Sequence, residues 1–152
     1  MSDTGPGAGG SAVPIPAQLN LVVSDLDASL AFYRLLGWDF GPPTGLHATL
    51  TFDNGFSVDL DQHAFASEWN SGTPDVSGGS VVVCLSIGSR AAVDELWSRL
   101  VASGHASRQV PYDTFWGSRF AVVADPDGYQ IGLMSPSEAE HRYWPPSPAP
   151  GD

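Results

Sequence analysis

The chain contains no lysine and only one cysteine, and its six basic residues, all arginine, face 17 acidic ones. With a formal net charge of -11, it repels polyanionic backbones and anionic membrane surfaces, so neither nucleic acid nor membrane is expected as a partner. A lone Cys84 closes no internal disulfide, which fits a reducing compartment. No apolar run approaches the roughly 20 residues that span a bilayer, and the N-terminal stretch lacks the basic-then-apolar pattern of an export signal. A soluble, cytoplasmic protein is the expectation. At 152 residues the chain supports one compact core, not two large ones.

Both ends read as tails. Residues 1–16 are mostly Gly, Ala, Ser and Pro, and residues 137–152 finish in alternating Pro and small residues. Tyr143 and Trp144 are expected to pack back onto the body.

Between the tails one order of elements occurs twice. Leu19 to Val23 is an apolar run, and Ser24-Asp25-Leu26-Asp27 follows with side chains suited to cap a helix. Ala28, Phe32, Leu35 and Leu36 then share a helical face, and Gly37 ends it. Trp38 to Phe40, Leu46 to Phe52 and Phe56 to Asp61 follow as strands, the last two joined by Asn54-Gly55. The second copy runs from a strand at Ser80 to Ile87, through a cap at Ser89, to a helix with Val93, Leu96, Trp97 and Leu100 on one face. Strands at Ser107 to Val110, Phe120 to Ala124 and Gln130 to Met134 complete it, the last two joined by Asp125-Pro126-Asp127-Gly128. Residues 63–79 are rich in turn formers and read as a linker between modules 17–62 and 80–135 of a single domain spanning 17–136.

A helix covers one face of each sheet, and alternation separates the faces. Val81, Val83, Leu85 and Ile87 should meet the helix, leaving Ser80, Val82, Cys84 and Ser86 on the open side. Val58 and Leu60 likewise face the helix, while Ser57, Asp59 and Asp61 do not. A two-residue Asn54-Gly55 turn pairs Leu50 with Asp59 and Ala48 with Asp61, which sends His47 to the opposite face.

This order resembles the vicinal-oxygen-chelate superfamily, also called the glyoxalase/bleomycin-resistance/dioxygenase fold. The likeness covers about residues 17 to 135. It is carried by Ser24 to Ser29 with Phe32-Tyr33 and Leu36-Gly37, and by Trp116 to Phe120 with Asp125-Pro126-Asp127-Gly128-Tyr129. The resemblance implies an α+β fold of two βαβββ modules forming a cup-shaped mixed sheet, with the helices outside and the ligand in the cup. It further implies metal ligands on the first and last strand of each module, here Gln18, Asp59, Val82 and Gly132. Valine and glycine supply no side-chain donor, so this pattern points away from a metal cofactor and from metal-dependent turnover. A displaced site of Asp59, Asp61 and His63 is an alternative, although acidic residues beside a linker are more often simply solvated. His47, His105 and His141 have no paired spacing and are assigned to the surface. Cys84 has no local histidine and reads as a small core residue.

Aromatic residues carry the functional expectation. Trp38, Phe40, Trp69, Tyr112, Phe115 and Trp116 fall in loops or on short outer strands, where flat rings stack on planar ligands. For Trp38 and Phe40 a core role weighs as much. Trp116 before Gly117 resembles the antibiotic-binding members of the superfamily, which bind a drug without converting it and commonly pair as homodimers. The ligand-binding set is therefore Trp116, Phe115, Trp69, Asp59, Gln18, Leu50, Trp38, Phe40, Tyr112 and Met134. The expected function is binding of a planar aromatic small molecule, as a homodimer and without metal. The alternatives are a metal-dependent lyase, isomerase or dioxygenase with an altered ligand set, and a purely dimerising module.

Overall fold

The computed structural model describes residues 13–151, so the expectations for residues 1–12 and Asp152 lie outside the described residues. Its order is β1 (Gln18–Val23), α1 (Leu26–Leu35), β2 (His47–Thr51), β3 (Ser57–Gln62), α2 (His63–Trp69), β4 (Val82–Ser86), α3 (Arg90–Ala102), β5 (Ser107–Asp113), β6 (Arg119–Ala124) and β7 (Gln130–Met134). A 3-10 turn at Ala139–His141 follows. The result is a mixed α+β fold with two mixed sheets, β1-β3-β2 and β4-β7-β6-β5, each with one parallel pair at β1/β3 or β4/β7.

Local chemistry sets the helix starts. Asp25 accepts from the Ala28 amide at 3.2 Å, and Ser89 accepts from the Ala92 amide at 3.1 Å, each satisfying a backbone donor that the first helical turn leaves free. The inner faces then meet in one core spanning both modules, with Phe32, Leu60, Val93, Leu100, Ile131 and Leu133 fully buried. Polar contacts tie the modules together. Tyr33 Oη donates to Asp125 at 2.7 Å, Tyr129 Oη to the Val22 carbonyl at 2.9 Å, and Ser24 Oγ to Asp127 at 2.5 Å. Burial, then the Asp125 charge, pushes the Tyr33 hydroxyl far above its ordinary range, so it remains a proton donor.

Several expectations are corrected. Trp38 to Phe40 forms no strand, because Trp38 stacks on Tyr33 at 5.5 Å and Phe40 is buried in the core. The first module therefore has three strands. The stretch 63–79 begins with helix α2, whose last residue is Trp69, so Trp69 is neither a loop nor a strand residue. Val81 precedes β4 and is exposed, whereas Val83, Leu85 and Ile87 pack on the core as expected. Cys84 is exposed, not a core residue. Residues 137–144 fold back onto the second module: Ser137 Oγ donates to the Trp116 carbonyl at 2.5 Å, and the Tyr143 amide to the Phe115 carbonyl at 3.1 Å.

The register of the first hairpin is the most consequential correction. Phe52 pairs with Phe56, so the loop is Asp53-Asn54-Gly55, a three-residue connection closed by Gly55 at φ 87°. One extra loop residue shifts β2 by one position against β3. Leu50 then pairs with Val58 on the core side and Ala48 with Leu60, while Thr49 faces Asp59 and His47 faces Asp61.

Candidate functional site

The open face of each sheet carries a separate candidate site. In the first module, strand alternation aligns Gln18 and Asn20 of β1, Asp59 and Asp61 of β3, and His47 of β2. Phe65 and Trp69 of α2 close over them, leaving a cavity of about 230 Å³. Phe65 stacks on the His47 ring at 4.9 Å with 26° between planes. This roof explains why Asp59 and Asp61, expected on a solvated face, are only 8% and 1% exposed.

The polar network is dense. Gln18 Nε2 donates to Asp59 Oδ2 at 3.0 Å, and Asn20 Nδ2 donates to Asp59 Oδ2 at 3.3 Å and to Asp61 Oδ2 at 3.0 Å. His47 Nδ1 stands 2.5 Å from Asp61 Oδ1, and its Nε2 lies 2.9 Å from Thr49 Oγ1. A carboxylate only accepts, so Nδ1 carries the proton of the first of these bonds. Asp59 Oδ1 is buried without a partner. His63, proposed as a companion of the two aspartates, is exposed at the start of α2, and His47 takes the place beside them. Sequence parity pointed to this histidine only if the loop length was read as three residues.

In the second module the open face is apolar. Tyr112 and Trp116 meet the Phe120 ring edge-on at 6.5 and 5.6 Å. Phe115 packs on Trp116 at 5.1 Å and on Trp144 at 5.8 Å. Phe115, Trp116, Tyr143 and Trp144, with Ser137 and Arg142, line an open concavity of about 550 Å³. Two features fix this loop. Gly117 sits at φ 94°, and a Cβ there would lie 2.5 Å from the Glu138 carbonyl oxygen, so only glycine lets residues 137–144 approach. Arg90 donates to the Gly117 carbonyl at 3.1 Å and pairs with Asp113, which Arg119 also contacts at 3.1 Å. Burial raises the Asp113 carboxyl, but Arg119 and Arg90 outweigh it and hold it below its ordinary value. The Trp116 indole N–H is buried without an acceptor. Tyr143 and Trp144, assigned only a packing role from the sequence, form walls of this site.

The ligand set expected from the sequence thus divides. Trp116, Phe115 and Tyr112 gather in the second module, with Met134 opposite Phe120 in the β6/β7 register. Gln18, Asp59 and Trp69 gather in the first. Trp38, Phe40 and Leu50 pack on the core, Leu50 because of the register shift. Cys84 lies against Gly132, where partial burial pushes its thiol up.

A model of the glyoxalase/bleomycin resistance protein/dioxygenase superfamily matches residues 15–133. The chain belongs to this superfamily. An uncharacterized protein of Mycobacterium bovis is 31% identical over 132 residues, covering 77% of this chain and 80% of that protein. A glyoxalase-related enzyme from Fulvimarina pelagi superposes with a TM-score of 0.73 at 24% identity, covering 82% of this chain and 89% of that one. A glyoxalase/bleomycin resistance protein/dioxygenase from Nocardioides does so with 0.68 at 24%, covering 95% and 92%. At these identities the structural likeness concerns the fold. Two of the four positions that the resemblance assigns to metal ligands lack a donor. Val82 and Gly132 offer no side-chain donor, and a Cβ at position 132 would lie 2.8 Å from Cys84 Sγ and 3.1 Å from the Phe120 ring. That floor is filled by sulfur and ring carbon. Among the described residues, no helix is long and apolar enough to cross a membrane.

Proposed function

We propose that this superfamily member binds a planar aromatic small molecule, such as an antibiotic, in the aromatic concavity of the second module. The observation that carries this reading is a wall of four rings, Phe115, Trp116, Tyr143 and Trp144, around an open space of about 550 Å³. Trp144 is 78% exposed there, an arrangement that gains little for the fold but buries a large area against a flat ligand. The Trp116 N–H without an acceptor and the Arg142 guanidinium at the rim both favour a ligand that carries a hydrogen-bond acceptor. No residue lining this concavity is a carboxylate, histidine or thiol, which supports a reading without metal.

The binding unit in this reading is a homodimer in the cytoplasm. An unpaired outer edge on β4 and the exposed Val81 and Val82 beside it support that assembly.

Titration of the full chain against a panel of planar aromatic natural products, followed by tryptophan quenching and product analysis, tests the function. Saturable quenching without product formation, lost in Trp116→Ala and in Trp144→Ala, is expected. Turnover of the ligand, or quenching that both variants retain, would overturn the reading. Light scattering that returns a monomer mass at micromolar concentration would exclude the homodimer.

A further inference from the structure

We propose that His47, Asp59 and Asp61 bind one first-row divalent cation within the first module. This inference is independent of the aromatic reading, since no residue of the second module takes part. One donor atom from each of the three residues lies within 4.8 Å of the other two. The set shares only Asp59 with the superfamily positions: it takes His47 from β2 and Asp61 from β3, and it needs nothing from Val82 or Gly132.

Charge makes the case. Asp59 and Asp61 are 8% and 1% exposed, and a buried carboxylate needs a compensating charge or a proton. Among the described residues that line the cavity there is no arginine or lysine, and His47 is the one side chain able to carry a positive charge beside the two carboxyl groups. A divalent cation balances both carboxylates. Hydrogen bonding points to the same place. Gln18 and Asn20 occupy Asp59 Oδ2 and Asp61 Oδ2, and Thr49 occupies His47 Nε2. These are the outer partners that hold metal ligands in orientation. The donor atoms left over are Asp59 Oδ1, buried with no partner at all, and the pair His47 Nδ1 and Asp61 Oδ1, which share a proton. A cation held between them replaces the contact that these two atoms make with each other. One imidazole and two carboxylates, with cavity space for water, suit manganese, iron or zinc better than calcium or magnesium, which prefer all-oxygen shells.

The test uses the full chain stripped with chelator, titrated with Mn²⁺ and read by the EPR signal of free Mn²⁺. The expected result is one Mn²⁺ per chain, displaced by Zn²⁺ but not by an equal concentration of Ca²⁺. His47→Gln and Asp59→Asn should each weaken binding at least by the roughly 100-fold that loss of an outer-shell partner can cost. His141→Ala, in the exposed group with Glu138 and Glu140, should leave affinity unchanged. Should His47→Gln fail to fold by circular dichroism, the near-isosteric Asp59→Asn decides. Absence of saturable binding, equal affinity in the folded His47→Gln and Asp59→Asn variants, or loss of binding in His141→Ala would overturn the site. Failure of ligand quenching with Mn²⁺ binding intact would bear on the aromatic reading alone.

Discussion

In the first module Asp61 pairs across the sheet with His47 and Asp59 with Thr49; in the second, Met134 pairs with Phe120 and Gly132 with Val122. Three strands of each sheet, β1-β3-β2 and β4-β7-β6, share order and register, a parallel pair flanked by an antiparallel one, and the second sheet adds β5 at its edge. The same backbone therefore supports a charged floor in one copy and a greasy floor in the other. What differs besides the side chains is the cover. Helix α2 closes on the polar floor, while residues 137–144 wrap around the aromatic loop and leave its concavity open. Each floor also retains one buried polar atom without a protein partner, an acceptor at Asp59 and a donor at Trp116. A duplicated module can thus keep its scaffold, which buries the helix-facing residues, and diverge freely on the face that does not carry the core.

Four measurements would break or sharpen this contrast. The largest effect is expected from Gly117→Ala, which combines a left-handed backbone with a Cβ 2.5 Å from the Glu138 carbonyl oxygen. A loss of about 3 kcal/mol in chemical denaturation is expected, together with detachment of the 137–144 cover and loss of ligand quenching. A smaller stability change, below about 1 kcal/mol, would show that the cover is not what shapes the second site.

Trp116→Ala should weaken aromatic ligand binding by about 2 kcal/mol, roughly 30-fold, and cost less stability than the about 3–5 kcal/mol of a fully buried tryptophan. A large melting loss with unchanged affinity would make Trp116 a core residue and erase the functional difference between the modules.

Asp59→Asn should act in opposite directions according to metal. In chelator-treated protein it removes one of two buried negative charges, and a gain of about 1 kcal/mol is expected by thermal melting. With saturating Mn²⁺, wild type should melt higher than the variant. Destabilisation of the chelator-treated variant would show that the polar floor is satisfied as it stands.

The smallest effect concerns pH. Asp113 is held below its ordinary value in the folded chain, so its pairing stabilises the fold above the unfolded carboxylate pKa and is lost as pH falls through the folded value. Because Asp113 is more than half exposed, the loss is modest. Ligand quenching at the second site should weaken over that acidic range in wild type, and an Arg90→Ala variant should lose it at higher pH. Identical acid profiles would separate Asp113 from the aromatic loop.

Much of this was legible before any coordinates. Asp25 and Ser89 announce helix starts by chemistry that acts within one turn, and the alternation of Val58 and Leu60 with Asp59 and Asp61 assigns faces by chain geometry alone. Trp38 and Phe40 were harder, since a short aromatic run reads equally as strand or as core filler until Tyr33 is placed beside it. His47 was misplaced for a subtler reason. Asn54-Gly55 marks the turn in either reading, but whether Asp53 belongs to the loop decides which face every residue of β2 occupies.

The sequence by itself determined the duplicated order of elements, the helix-facing core and the acidic character of the first open face, because these depend on local periodicity and capping. Tertiary structure decided the rest. Only the Phe52–Phe56 pairing set the register that puts His47 beside Asp61, and only the return of α2 over β3 converted two solvated aspartates into buried ones. Likewise, only the docking of residues 137–144 made Tyr143 and Trp144 walls of a site and placed Trp116 apart from Trp69. Each of these outcomes turns on contacts between segments distant in the chain, whose balance of burial and hydrogen bonding no short window of sequence contains.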